Sequence, residues 1–94
     1  MRFFESKDKS GRTIYLTKER WSHINKEHPE VSGYFKTFED VLNNPTKVVN
    51  YSHDKNIQCY YKHIKERKSY LLVIVKYLNG EGFIITSYFV KSIQ

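Results

Sequence analysis

The pattern of apolar and polar positions divides the chain into a mixed first half and a β-rich second half. Met1–Glu5 and Arg12–Leu16 read as two short strands around the polar turn Lys7-Asp8-Lys9-Ser10-Gly11, where Gly11 supplies a positive φ. Thr17 then suits a helix N-cap, its hydroxyl placed to accept a first-turn N–H. A helix is expected from Lys18 to Glu27 or His28, with Trp21, Ile24 and His28 on one face. Pro29 stops it, because the residue before proline avoids the α region. Val31 to Lys36 reads as loop, and Thr37-Phe38-Glu39-Asp40 resembles a capping box. It opens a short helix from Phe38 to about Asn43 that shows Phe38, Val41 and Leu42 to the core and ends at Asn44-Pro45.

Beyond Pro45 the pattern is that of strands. Lys47–Tyr51, Ile57–Ile64, Tyr70–Tyr77 and Phe83–Val90 are expected, with turns at 52–56, 66–69 and 79–82. Short turns between neighbours predict antiparallel pairing. The fold class expected is therefore α+β: two N-terminal helices packed on one face of a four-stranded antiparallel sheet, with a short N-terminal hairpin. Such a layout leaves the second sheet face free. Residues two apart share a face, so Thr86 and Tyr88 are expected to look outward, opposite Ile85, Ser87 and Phe89. Tyr70–Tyr77 is apolar on both faces as far as Val75, the mark of a central strand.

Length adds that residues 1–94 form a single domain. Composition adds a partner class. Sixteen Lys and Arg against ten Asp and Glu leave a net charge of +6, and aromatics make up 16% of residues. Excess positive charge favours a polyanion, although it also serves solubility. The single Cys59 excludes an intramolecular disulfide and a cysteine-based metal cluster, and fits a reducing compartment. No apolar run reaches membrane-spanning length and the N-terminus has no signal-peptide pattern, so a cytoplasmic location without membrane attachment is expected.

Candidate chemistry lies in three places. His23 and His28 could move protons near neutral pH. They lie five residues apart, about 140° around a helix, so a regular helix cannot aim both at one atom. The bland alternatives are a packed or C-capping His28 and a solvated His23. Thr86, Ser87 and Tyr88 offer hydroxyls to a phosphate or ribose, or are simply strand formers. Tyr60, Tyr61, Lys62, His63 and Lys65 alternate aromatic and basic groups suited to nucleic acid, or to a basic edge strand. The chain has no phosphate-cradling glycine loop and no carboxylate cluster for Mg²⁺, so no metal or cofactor is expected.

The segments Tyr15–Ile24, His28-Pro29-Glu30, Asn44-Pro45, Tyr60-Tyr61-Lys62, Leu71–Lys76 and Phe83–Phe89 resemble the phage members of the Barnase–EndoU–colicin–RelE nuclease superfamily. The resemblance runs from Tyr15 to the C-terminus and rests more on the order of elements than on any one motif. It implies helices on a four-stranded antiparallel sheet and a metal-independent ribonuclease, in many members a toxin. The implied catalytic positions are His23 or His28, Lys62 or Lys76, and Thr86 with Tyr88. No acidic base of the barnase kind stands in the sheet segments. Tyr60, Lys65, Arg67, Lys68 and Lys76 are the expected RNA contacts. RNA, tRNA among the candidates, is the expected partner, with an antitoxin or immunity protein as a second, in the cytoplasm of the producing or target bacterial cell. The rival expectation is a non-catalytic RNA- or protein-binding module on the same fold; a third is a toxin domain of a larger effector.

Overall fold

The computed structural model describes residues 2–93; Met1, where the first expected strand begins, and Gln94 lie outside the described residues. Six strands form one sheet: β1 (Arg2–Lys7), β2 (Thr13–Thr17), β3 (Lys47–Asn50), β4 (Ile57–Ile64), β5 (Ser69–Leu78) and β6 (Glu81–Val90). Two α-helices, α1 (Lys18–Glu27) and α2 (Phe38–Asn43), lie on one face, joined by 3-10 turns over Pro29–Thr37. The strand order is β1-β2-β6-β5-β4-β3.

This corrects the expected four-stranded antiparallel sheet. The N-terminal hairpin is not a separate feature: β2 pairs in parallel with β6 through Ile14–Gly82 and Tyr15–Phe83, which makes the sheet mixed and six-stranded. Every other neighbouring pair is antiparallel. Burial drives the docking. Ile14 and Leu16 are fully buried on the helix side, and each such side chain contributes about 1.5–3 kcal/mol when removed from water. A free two-stranded hairpin would leave that surface wet.

α1 forms as its signals dictate. Thr17 Oγ1 accepts the Arg20 N–H at 3.1 Å, Ile24 is fully buried, and His28 leaves the helix with φ −134° and ψ 70° before Pro29. The segment expected as loop is instead 3-10, because Val31, Tyr34, Phe35 and Phe38 recur three or four residues apart and turn toward the core. Its last turn runs straight into α2, so Thr37 has helical angles and makes no side-chain cap. The expected capping box is absent for that reason. Phe38, Val41 and Leu42 are fully buried as expected.

The main core lies between helices and sheet, where Tyr60, Ile64, Leu71, Val73, Val75, Tyr77 and Ile84 meet α1 and α2. A second, smaller cluster of Cys59, Tyr61 and Leu72 occupies the opposite sheet face, with Val49, Tyr70, Ile74, Tyr88 and Val90 around it. In β6 the register slips: Thr86 faces Ile74, but Ile84 faces Val75. The bulge corrects the expected core assignment, since Ile84 rather than Ile85 enters the main core. At the β5–β6 turn, Asn79 and Gly80 take φ values of 55° and 82°, the double left-handed signature of a tight hairpin.

Candidate functional site

The sheet topology creates the site. β2 contacts β6 only as far as Phe83, so beyond that residue the strand edge has no strand beside it. α1 takes its place. Near the helix start, Arg20 and Thr17 share a groove with Tyr15, Phe83 and Ile84. Just past the helix end, the His28 ring stacks on the Tyr88 ring, with centroids 5.0 Å and planes 29° apart. The spacing explains the match. Eight helical residues from Arg20 to His28 rise about 12 Å, and four strand residues from Ile84 to Tyr88 span about 13 Å. Helix and strand therefore run side by side in the same direction.

Thr86 lies between these two contacts. It pairs with Ile74 as Tyr88 pairs with Leu72, so both hydroxyls belong to the face away from the main core. Ser87, between them, points the other way: it is fully buried and donates to the Leu72 carbonyl at 2.7 Å, a structural bond. His28 is about one-third exposed, with Glu30 Oε2 4.0 Å from Nδ1. Imidazole and phenol thus stack at one end of an aromatic surface, with the Thr86 hydroxyl two residues back along the same face. Beside them a cavity of about 490 Å³ is lined by Val49, Cys59, Tyr61, Leu72, Ile74 and Tyr88. Burial pushes the Cys59 thiol up from its ordinary pKa, which keeps it protonated and unreactive at neutral pH.

The other sequence candidates scatter. His23 sits on the exposed flank of α1, 3.3 Å from Glu27 Oε1, in a groove with Thr17, Glu19 and Arg20. Lys62 lies on the helix side of β4, away from Thr86 and Tyr88. Its Nζ donates to the Asn44 carbonyl at 2.8 Å and pairs with Asp40 at 3.3 Å, closing the C-terminal end of α2. Lys76 does lie on the open face, opposite Phe83, and is paired with Asp54 at 3.2 Å.

Tyr60 is also on the helix side, only 4% exposed and hydrogen-bonded to Tyr77, so it has no ring face to offer a base. Tyr61 is its open-face neighbour, though it too is largely buried. Arg67 spreads over the Phe89 ring at 4.2 Å, while Lys65 and Lys68 are exposed at the β4–β5 turn. Lys76 stands near the far end of β5, about 23 Å from Ser69 at that turn, so the expected cations do not form one patch.

Arg20 was not among the sequence candidates. Its side chain has no hydrogen-bond or ion-pair partner among the described residues, and it lines the groove at the head of the free β6 edge. The available signal was its place one turn into α1, three residues before His23. Among the described residues no group of three or more His, Cys, Asp or Glu side chains is gathered as metal ligands, and no helix is long and apolar enough to cross a membrane. No family model, curated protein or solved structure matches the chain.

Proposed function

We propose that this protein is a metal-independent RNA endonuclease of the Barnase–EndoU–colicin–RelE kind, with its substrate strand laid along the free β6 edge. The observation that carries the reading is the stacking of His28 on Tyr88 with Thr86 two residues away on the same face. His28 takes the proton from a ribose 2′-OH, and the oxygen attacks the adjacent phosphorus. Thr86 donates a hydrogen bond to a phosphoryl oxygen of the scissile group, and Arg20, further along the same edge, holds a neighbouring phosphate of the strand. Tyr88 protonates the departing 5′-oxygen. The products are a 2′,3′-cyclic phosphate and a 5′-hydroxyl. A toxin acting on tRNA or another cellular RNA, held in check by an antitoxin or immunity protein, is the setting the resemblance suggests.

A second reading has its own support. Tyr15, Phe83, Tyr70 and Tyr88 lie on the open sheet face, where aromatic rings suit stacking on unpaired bases. That surface would serve a binding module without catalysis. Incubating the full chain with RNA in EDTA separates the two. Cleavage leaving cyclic phosphate supports the enzyme; RNA that is retarded yet intact supports the binder. RNA that is neither cut nor retarded at low salt removes both.

A further inference from the structure

The helix side of the sheet carries a second polar construction that the proposed nuclease site does not use. The turn between β1 and β2 brings Asp8 over β5, where it is 6% exposed. Oδ1 of Asp8 accepts the Ser10 hydroxyl at 2.7 Å, the Ser10 N–H at 2.9 Å and the Arg12 N–H at 3.0 Å. Oδ2 accepts Arg12 Nε at 3.0 Å and the Tyr77 hydroxyl at 2.9 Å. Tyr60 joins through Tyr77, and its hydroxyl lies 3.3 Å from Gln58 Oε1. The carboxylate is thus saturated by groups of its own chain.

The consequence falls on Arg12. Its guanidinium carbon lies over the Tyr77 ring, 3.8 Å from the centroid, and its hydrogen bonds run through Nε alone. Both terminal nitrogens are without a hydrogen-bond partner among the described residues. So is the Lys9 ammonium beside it. These donors border a cavity of about 190 Å³ that the already saturated Asp8 carboxylate and Ser10 also line, with Gln58 at one side and Leu42, Pro45 and Val48 as an apolar wall. A guanidinium already fixed by stacking loses little freedom on binding, and its fork matches two oxygens of a phosphate. At about 30 Å³ per water molecule the cavity holds a phosphate and little more.

We infer that this cavity is a phosphomonoester site, in which Arg12 and Lys9 bind a terminal phosphate carried by a nucleotide, by a nucleic-acid end, or free in solution. It lies on the opposite sheet face from Thr86 and Tyr88, and it stands whether or not the chain cleaves RNA.

The test is a titration of the full chain with inorganic phosphate, followed by amide chemical shifts. Saturable shifts confined to the 8–12 turn, the end of α2, the start of β3 and β4 are expected. Gln58→Glu, which places a carboxylate at the cavity wall, and Lys9→Gln should each weaken binding about tenfold or more with unchanged melting. Lys9→Gln leaves every bond of Asp8 in place and Gln58→Glu keeps an acceptor for the Tyr60 hydroxyl, so both remain informative if Arg12→Gln fails to fold. Adenosine monophosphate and an oligonucleotide with or without a 5′-phosphate identify the source. Tighter binding of the phosphorylated oligonucleotide assigns a nucleic-acid end, and tighter binding of the monophosphate assigns a nucleotide. Equal affinity for all phosphate-bearing probes assigns the phosphate alone. Absent or unsaturable shifts, or the same affinity in Gln58→Glu, overturn the inference.

Discussion

His28 and Tyr88 stand 60 residues apart in sequence, yet their rings stack with centroids 5.0 Å apart. One follows the end of α1 and the other lies in the last strand, so the contact joins the helical layer to the open sheet face around an edge that no strand covers.

The two histidines should part company on mutation. His28→Ala is expected to lower RNA cleavage about 10²-fold, the usual scale for lost proton transfer. His23→Ala, at an exposed helix flank, should leave both cleavage and melting near wild type. Cleavage per folded molecule and thermal melts on both variants check this. Wild-type cleavage in His28→Ala would remove the histidine from the mechanism.

Thr86→Val keeps a β-branched side chain and deletes the hydroxyl. Activity should fall about 10²-fold with little change in melting. A fully active, folded Thr86→Val protein would reduce Thr86 to scaffold.

Lys62→Met should leave the rate of cleavage unchanged, because Lys62 is bound to Asn44 and Asp40 on the far side of the sheet. Its cost should appear as a small loss of stability, about 1 kcal/mol. A loss of rate as large as that expected for His28→Ala would move the active site to the helix side.

Gly82 has no room for a methyl group. An added Cβ would lie 2.8 Å from Val75 Cγ1 and 2.9 Å from Tyr77 Cε1. Gly82→Ala should therefore cost about 1–3 kcal/mol in denaturant unfolding. An unchanged midpoint would show that the Tyr77 ring can move aside freely.

Stability should fall at both ends of the pH scale. Burial works to raise the Asp8 pKa, but hydrogen bonds from Ser10 and Tyr77, the Arg12 N–H and the Arg12 charge outweigh it and hold the group below its ordinary value. A depressed carboxylate stabilises the fold above its unfolded pKa of about 4, and that contribution is lost on acidification below it. Tyr77 is raised above its usual pKa by burial, then by its bond to Tyr60 and by Asp8; Tyr60 is raised chiefly by burial. Their contribution is complete below the unfolded value of about 10 and fades as pH climbs past it. Melting temperature against pH checks both limbs, and Tyr77→Phe should flatten the alkaline one.

Local signals carried the elements further than the topology. α1 was legible because its cap, its apolar spacing and its terminating proline agree over a dozen residues. The β2–β6 pairing was not, since it rests on two long-range residue pairs that no local pattern encodes. Alternation says that Tyr60 and Tyr61 face opposite ways, but not which one meets the helices; that depends on where Tyr77 and Asp8 arrive from elsewhere in the chain. Lys62 shares the side of Tyr60 and so lies away from Thr86 and Tyr88. Thr86 and Tyr88 came out on the expected face despite the bulge, which displaced Ile85 and Ile84 instead.

The parallel seam between β2 and β6 also sets an order of events. During synthesis the first hairpin and α1 emerge long before the strand they dock against, because Gly82 and Phe83, the pairing partners of Ile14 and Tyr15, follow them by 68 residues. His28 meets Tyr88 only when that final strand has joined the sheet. Until β6 has emerged, a growing chain therefore carries His28 without the ring it stacks on.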